Sequence, residues 1–297
     1  MTLTAAHKNL EVIILAAGRG TRMRSSRPKV LHPLAGKYLI QHVIDTAQAL
    51  NPTQIHVVVG HGADAVEQAL AGQNLNFHQQ TEQLGTGHAV ACALPGCASN
   101  SAVLVLFGDV PLIAASTLKT LIAGSQDNPS MLAARLDDPQ GYGRVLRSEQ
   151  GHFLAVVEQA DANETQALIN EVNTGVLAAP VEQLSALLNL VGNDNAQGEY
   201  YLPDALGLAQ QQGIAVAVAV TDDPLEMYGI NDRLQLQTLE RALQCRRADT
   251  LMSAGVAVAD RQRIDIRGEL ACGTDVEIDI NVVFEGQVSL GDGVSVG

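Results

Sequence analysis

The sequence predicts an α/β protein with a mostly parallel sheet, followed by a long helical arm and the first coils of a parallel β-helix. Three observations predict this fold. Apolar strands alternate with amphipathic helices between residues 11 and 107, the order that βαβ units require. A helical pattern with few breakers runs from Asp232 to Leu251. Apolar residues then recur every six positions from residue 264 onward, the signature of a parallel β-helix.

Composition narrows the class of protein. The chain has 297 residues, a formal net charge of −14 and 46% hydrophobic residues, which suits a globular protein and argues against a nucleic-acid coat or an anionic membrane surface. Its four cysteines form no C-x-x-C pair, so we expect reduced thiols and a cytoplasmic protein. No apolar run reaches the ~18–20 residues of a membrane span. Residues 1–10 lack the pattern of a secretory leader.

The elements of the sheet domain follow from periodicity. Alternating and β-branched runs predict strands, and apolar residues at helical spacing predict helices. The continuous apolar run Val103–Leu106 suits a sheet covered on both faces. We predict strands at 11–16, 55–59, 75–79, 102–107, 131–135, 153–158, 171–177 and 214–220, helices at 39–50, 63–70, 88–93 and 181–190, and loops at 137–144 and 197–204. The predicted domains are 1–231, the arm 232–253, and the β-helix start 254–297.

A loop of small residues follows the first strand, and cations cluster around it. The stretch runs from Leu15 to Met23 and is closed by Pro28-Lys29, and the cations are Arg19, Arg22, Arg24, Arg27 and Lys29. Bare backbone N–H groups and fixed positive charge together predict a phosphate-binding site. The loop matches neither G-x-G-x-x-G nor G-x-x-x-x-G-K-[ST]. The alternative is an ordinary strand–loop–helix connection with a solvated basic face.

Polar residues near other strand ends are candidates for the same site. Asp109 follows the strand at 102–107, and a carboxylate beside a polyphosphate most often binds Mg²⁺; the alternative is a turn residue. Asn231 is either a second oxygen ligand or the cap of the long helix. Ligands of such sheets lie at the carboxyl ends of the strands, so the loop and Asp109 are expected to face one site.

Further polar residues fit a base or a sugar. Gln80, Gln83 and Thr86 either hydrogen-bond a base or lie on a loop surface. Glu158 and Asn173 interrupt apolar strands. Such residues line a polar pocket, make buried hydrogen bonds or lie on an exposed sheet face.

The hexapeptide register is unbroken at the end of the sequence. One set is Ile264, Leu270, Val276, Val282, Val288 and Val294, and the second lies two residues later at Ile266, Cys272, Ile278, Phe284, Leu290 and Val296. Because each coil buries its face only against its neighbours, we expect a longer parent protein or a partner that covers the open coil. A single exposed β-meander is the alternative.

Together, these motifs resemble those of the sugar-phosphate nucleotidyltransferases. Within that group they are similar to the bacterial bifunctional N-acetylglucosamine-1-phosphate uridyltransferase/glucosamine-1-phosphate acetyltransferase family. The resemblance covers the chain from about residue 11 to its end. The motifs are Leu15–Met23 with Pro28-Lys29, Gln83–Ala89, Gly108–Leu112, Gly141–Arg144, Val157-Glu158, Asn173–Gly175, Asn195–Tyr201 and Asn231–Arg233.

The resemblance implies a Rossmann-like, GT-A-like catalytic domain, a left-handed β-helix and a defined reaction. UTP and N-acetylglucosamine 1-phosphate would give UDP-N-acetylglucosamine and pyrophosphate, with Mg²⁺ as cofactor, for peptidoglycan and lipopolysaccharide precursors. It implies Arg22 and Lys29 as catalytic residues and Asp109 and Asn231 as metal ligands. It also implies that the substrates contact Leu15, Ala16, Ala17, Gly18, Lys29, Gln80, Gly85, Thr86, Phe107, Gly108, Asp109, Gly143, Glu158, Asn173 and Asn231.

Three positions depart from the family pattern. Phe107 stands where Tyr is frequent, Ala160 where a Lys usually follows the sugar-site Glu158, and Pro203 where Thr is usual. The last two reduce the sugar-side contacts that can be assigned. The acetyltransferase site of this family lies in later coils, so we expect that activity to be absent from the sequence given. In this family the complete β-helix implies a homotrimer. We also expect no nucleic-acid partner and no membrane insertion.

Two rival functions are compatible with the same residues. One is a related nucleotidyltransferase that uses ATP or dTTP with another sugar 1-phosphate. The other is a non-catalytic nucleotide-sensing or assembly subunit, since fold does not determine function.

Overall fold

The computed structural model describes residues 9–125 and 127–297. The expectation for residues 1–10, that they form no secretory leader, therefore lies almost wholly outside the described residues. Within them, the predicted fold class is confirmed: a mostly parallel α/β sheet, a long helix and a stack of parallel β-coils follow one another. No helix in the described part of the chain is long and apolar enough to cross a membrane.

The main sheet has the strand order β11-β7-β10-β6-β1-β4-β5, with β8 and β9 attached beside β10. Strands β6, β1, β4 and β5 are parallel, and β10 runs antiparallel between β6 and β7. The strands are β1 (Leu10–Ala16), β2 (Pro33–Leu34), β3 (Lys37–Tyr38), β4 (Gln54–Val59), β5 (Asn76–Gln79), β6 (Ala102–Phe107), β7 (Ser130–Arg135), β8 (Arg144–Arg147), β9 (Phe153–Val157), β10 (Glu171–Pro180) and β11 (Ala217–Thr221).

Helices cover both faces of this sheet. Alternate residues of one strand enter separate cores: Val12 and Ile14 belong to one, and Ile13 and Leu15 to the other. This is why β1 is apolar at every position from Val12 to Ala16, as a doubly covered strand must be. The helices are α1 (Leu39–Gln48), α2 (Ala63–Ala69), α3 (Thr86–Ala93), α4 (Ala115–Gly124), α5 (Glu164–Ala167), α6 (Val181–Leu188), α7 (Asp204–Gln211) and α8 (Arg233–Ser253).

Several predicted boundaries were wrong. Pro203 and Asp204 were assigned to a loop, but Pro203 is the N-cap of α7 and Asp204 begins that helix, a position where proline is tolerated. The strand predicted at 214–220 begins only at Ala217, because the Ile214 N–H donates to Ala209 O at the end of α7. Helices α4 and α5 and strand β8 were not predicted.

The tail forms stacked parallel coils. β13 (Ile264–Cys272) pairs in parallel with β15 (Val282–Leu290), and Ile264 lies beside Val282. The short strands β12 (Ala257–Val258), β14 (Glu277–Ile278) and β16 (Ser295–Val296) form a second parallel stack. The two predicted hexapeptide sets supply nearly all of the coil core, so the six-residue period did identify the buried positions.

Helix α8 joins the sheet domain to the coils through side chains. The amide of Gln244 donates to Ile266 O at 3.0 Å and accepts from Ile266 N at 2.8 Å. Its nitrogen also donates to Glu240, whose other oxygen accepts from Ala35 N at 2.7 Å. Gln244 is fully buried. A continuous hydrogen-bonded path therefore links the β2–β3 turn, α8 and the first long strand of the coils.

A buried network crosses the amino ends of the strands. Glu11 accepts from His56 Nε2 at 2.9 Å and from Ala98 N and Ser101 Oγ, and His56 Nδ1 lies 2.8 Å from His78 Nε2. Glu11 lies at the start of β1 and the small-residue loop follows its end. This network therefore lies at the edge of the sheet away from the phosphate loop and is separate from the candidate site.

We expect the free energy of unfolding to fall as the pH is lowered from 7.5 to 5. Burial is the main cause that lowers the pKa of His32, His42 and His78 below the ordinary value of 6.5. The unfolded chain then binds more protons below pH 6.5, so stability is present above that pH and is lost as the pH falls. Urea unfolding at several pH values measures the slope. His42→Gln should reduce this slope, because it removes one of the titrating imidazoles while Gln can still donate to Leu34 O. The control His152→Gln, at an exposed position, should leave the slope unchanged. An unchanged slope in His42→Gln would contradict the role given to His42.

Candidate active site

The phosphate loop follows β1 directly. Gly20 has φ 59°, and a Cβ there would lie 2.7 Å from Lys29 Cβ, so a glycine lets the loop pack against the stem of Lys29. A short 3₁₀ turn, Thr21–Met23, follows and buries Met23. A second turn, Lys29–Leu31, buries Val30 and Leu31. Buried apolar residues thus anchor the loop on both sides, while the arginines around it, Arg19, Arg22, Arg24 and Arg27, are exposed.

A cavity of about 240 Å³ lies beneath this loop. Its wall combines backbone of the loop, residues after β5 and the end of β6, as expected for a ligand site at the carboxyl ends of parallel strands. Ten predicted site residues line it: Leu15, Ala16, Ala17, Gly18, Lys29, Gln80, Gly85, Thr86, Phe107 and Asp109. Gly108 lies behind this wall, where its N–H donates to Leu15 O at 2.9 Å.

Lys29, Asp109 and Asn231 meet at one point. The ammonium of Lys29 donates to the Asp109 carboxylate and, at 3.2 Å, to Asn231 Oδ1. The Lys29 and Asp109 side chains are only 14% and 18% exposed, so their charges interact more strongly than surface charges do. The N-cap of α8 is Asp232, which accepts from Gln235 N. Asn231 is therefore not the helix cap, and its amide oxygen is directed at a cation.

A second cavity of about 310 Å³ lies on the other side of Asp109. Phe107 and Asp109 belong to the walls of both cavities, so the carboxylate lies between two possible ligand positions. The second wall also contains Arg22 and Asn231. The ring of Phe107 packs on Gly175, where a Cβ would lie 2.6 Å from the ring; Gly175 therefore fixes the orientation of Phe107.

Gly143, Glu158 and Asn173 are neighbours outside these two walls. Asn173 N donates to Gly143 O at 2.8 Å, and a Cβ on Gly143 would lie 3.0 Å from Glu158 Oε1. Asn173 lies in β10, as predicted, and its Oδ1 accepts from Gly175 N. Glu158 does not interrupt a strand, because β9 ends at Val157.

The surroundings of Glu158 are acidic. Burial, followed by the nearby charges of Asp204 and Asp161, raises the pKa of the Glu158 carboxyl, and Arg144 opposes this rise. Burial and Asp161 also raise the pKa of Asp204. Ala160, where a Lys was expected from the resemblance, adds no positive charge to this cluster.

Some residues of the two walls were missing from the predicted site. Glu199 and Val30 line the first cavity, and Gln140 and Tyr142 line the second. Glu199 and Tyr142 carry a usable signal, since each follows a glycine in a predicted loop. Val30 has none, because an apolar residue after a lysine is ordinary. Arg19, one of the clustered cations, donates to Gln83 Oε1 at 3.3 Å and so lies beside the first cavity.

This fold, with a cavity at the carboxyl ends of the strands where Lys29 meets Asp109, is of the nucleotidyltransferase type, and comparison with known proteins agrees. The MobA-like NTP transferase domain matches residues 12–258; the chain belongs to that family. The bifunctional protein GlmU of Marinobacter nauticus is 51% identical over 289 residues, which are 97% of this chain and 64% of that protein. GlmU of Pseudomonas putida is 51% identical over 290 residues, again with 97% and 64% coverage. The chain thus spans 64% of the length of these curated relatives.

Two solved structures share the fold. A nucleotidyl transferase from Methanothermobacter has a TM-score of 0.55 and 19% identity, and the match covers 84% of this chain and 100% of that one. A structure from Bacillus anthracis, described as a glucose-1-phosphate thymidylyltransferase, has a TM-score of 0.62 and 18% identity, with 79% and 94% coverage. At these identities the likeness concerns the fold alone.

Proposed function

We propose that this chain transfers UMP from UTP to N-acetylglucosamine 1-phosphate, giving UDP-N-acetylglucosamine and pyrophosphate. The observation that carries the proposal is the convergence of Lys29, Asp109 and Asn231 on one point between two cavities. The similarity to GlmU over 97% of this chain supports the same substrates. A phosphate oxygen of the sugar phosphate would attack the α-phosphorus, and the bond from that phosphorus to pyrophosphate would break.

Positioning and charge supply the catalysis in this proposal. The first cavity would hold the nucleotide against the backbone of Leu15–Gly18, with Gln80, Gly85 and Thr86 on the base and ribose side. Arg22 and Lys29 would hold the triphosphate and stabilise the departing pyrophosphate. Two anions must approach each other in this reaction, so fixed cations lower the barrier by neutralising charge and aligning the groups. Such a displacement requires no covalent nucleophile.

Asp109 and Asn231 fit a divalent metal ion. A carboxylate and an amide oxygen are hard ligands of the kind that Mg²⁺ prefers, and both already contact one cation, the Lys29 ammonium. When bound, Mg²⁺ would neutralise phosphate charge. We propose these two residues as its protein ligands, and Gly143, Glu158 and Asn173 as the sugar side of the site.

Turnover tests this function. Pyrophosphate release should be observed with UTP, Mg²⁺ and N-acetylglucosamine 1-phosphate, and should fall when UTP is replaced by ATP or dTTP or when the sugar is glucose 1-phosphate. Preference for another pair would support the related nucleotidyltransferase instead. Binding of UTP without any Mg²⁺-dependent release would support a sensing subunit.

Ala160→Lys is expected to lower the KM for the sugar phosphate several-fold with little change in kcat. The substrate is an anion, and the cluster around Glu158, Asp161 and Asp204 is acidic. An added cation there should therefore strengthen binding of the sugar phosphate without changing the chemical step. Gln150→Lys, at the tip of the β8–β9 hairpin, adds the same charge at the other end of β9 and serves as the control. An equal effect of both variants would mean that only net charge matters.

The remaining expectations extend the same proposal. We propose the division into a catalytic domain at 1–231, an arm at 232–253 and a β-helix start at 254–297. A left-handed coil, a homotrimer formed through a complete β-helix and a cytoplasmic location also remain predictions. Analytical ultracentrifugation would test the trimer.

A further inference from the structure

The side chain of Gln80 is held by two groups that leave its orientation no freedom. It is buried, and its Nε2 lies 3.1 Å from Gly85 O and 3.1 Å from His88 Nδ1. A carbonyl oxygen can only accept, so the atom of the amide that faces Gly85 must be the nitrogen. The same nitrogen carries a second hydrogen, which points at His88.

The tautomer of His88 follows from this contact. Because the amide nitrogen donates, His88 Nδ1 must accept, and the ring hydrogen of a neutral imidazole is then on Nε2. That nitrogen lies 3.9 Å from Cys92 Sγ, one turn further along α3, which suits a weak donation to sulfur. Both hydrogens of the Gln80 amide are thus occupied.

Gly85, the first partner, is fixed independently of His88. It has φ 112°, and a Cβ there would lie 2.6 Å from Tyr200 O. Its position as the N-cap of α3 places His88 in the first turn of that helix. The two acceptors that hold the Gln80 nitrogen therefore belong to one rigid segment.

The oxygen of the amide is what a ligand can meet. Within residues 9–125 and 127–297, no group of the chain donates a hydrogen bond to Gln80 Oε1, and Gln80 lines the 240 Å³ cavity with Gly85 and Thr86. A hydrogen-bond acceptor fixed in that wall selects a base edge that presents an N–H. Uracil presents N3–H, whereas the corresponding N3 of cytosine is an acceptor and would meet Oε1 unfavourably.

We infer that His88 is a positioning residue for base selection: by accepting from Gln80 Nε2, it keeps Oε1 directed at the nucleotide cavity and makes the site select uracil over cytosine. The inference rests on the proposed function for the identity of the nucleotide. The hydrogen bond expected from a base N3–H to Gln80 Oε1 would act on any pyrimidine nucleotide bound in the cavity. His88 lines neither the 240 Å³ cavity nor the one beyond Asp109, so its effect, carried by Gln80, should appear in nucleotide binding.

His88→Leu is expected to reduce the ratio of kcat/KM for UTP over CTP roughly five- to tenfold, the effect of one lost hydrogen bond of about 1 kcal/mol. The change should lie in the KM for UTP, with kcat nearly unchanged. His88→Asn should restore most of the ratio, because Asn Oδ1 can take the place of Nδ1 as an acceptor. His152→Leu, in the exposed β8–β9 hairpin, is the matched control.

Two results would overturn the inference. One is an unchanged UTP/CTP ratio in a His88→Leu variant whose melting temperature equals that of the wild type. The other is His88→Asn behaving like His88→Leu. If the wild-type chain turns over no UTP, the proposed function fails, and calorimetric binding of UTP and CTP then tests the role of His88. A preference for UTP in the wild type that is smaller in His88→Leu supports that role. Equal binding of the two nucleotides, or no binding of either, refutes it.

Discussion

Lys29→Ala is expected to lower the turnover of UTP and N-acetylglucosamine 1-phosphate by about 10²–10³-fold, the range found when one preorganised charge-stabilising donor is removed. Lys29 and Asp109 both line the 240 Å³ cavity, and the ammonium donates to the Asp109 carboxylate; in the proposed reaction a departing pyrophosphate would need this charge. The fall should appear in kcat more than in KM, because the charge on the leaving group develops during the reaction.

The fold of this variant should survive, because Lys29 contributes charge and Val30 and Leu31 supply the buried contacts of the turn. The chain contains a matched control in Lys37, whose ammonium also pairs with a carboxylate, Asp45, but at a site about 40% exposed. Lys37→Ala should keep nearly full activity. Full activity of Lys29→Ala, with the circular dichroism spectrum of the wild type, would remove Lys29 from the proposed mechanism.

Asp109→Asn is expected to reduce turnover at least as strongly, by about 10²–10⁴-fold at a fixed Mg²⁺ concentration. The substitution keeps the size of the side chain but removes the negative charge that a divalent cation requires. Part of the loss should be recovered at high Mg²⁺, since Asn231 and the substrate phosphates remain as ligands. Titration of initial rates with Mg²⁺ measures this shift.

Asp45→Asn is the corresponding control, because Asp45 is the acid of the exposed Lys37 pair. Its Mg²⁺ dependence should equal that of the wild type. An Asp109→Asn variant with an unchanged Mg²⁺ dependence and a low rate would assign Asp109 to positioning Lys29 and would refute its role as a metal ligand.

The loop and its partners differ in how far the sequence could predict them. Small residues after a β-branched strand and a cluster of cations are local signals, so Leu15–Gly18 and Lys29 could be predicted directly, and the structure places them in the wall of one cavity. That Asp109 would meet Lys29 depends on the parallel register in which Leu15 lies beside Phe107. The rule that ligands lie at the carboxyl ends of parallel strands predicted that the loop and Asp109 share one edge of the sheet. The contact between Lys29 and Asp109, 80 residues apart in the chain, is set by tertiary packing.

Other features had no local signal that could decide between alternatives. Asn231 fitted a helix cap as well as a ligand; the capping bond of Asp232 to Gln235 excludes the first, and the ligand role stays a prediction. Helix α7 was missed because Pro203 and Asp204 are typical of turns as well as of helix starts. The orientation of the Gln80 amide depends on Gly85 O and His88 Nδ1, so it could not be read from the residue types.

The Gln244 amide also sets a rule for making chimeras. It donates to the C=O and accepts from the N–H of Ile266, so it bonds β13 in the way that a residue of a neighbouring strand would. A coil taken from another protein could be joined to this sheet domain and α8 only if its backbone placed an N–H and a C=O within hydrogen-bond reach of Gln244. Fusions that shift the junction by one or two residues should therefore express poorly, while fusions cut after a whole 18-residue coil, the spacing between Ile264 and Val282, should be tolerated.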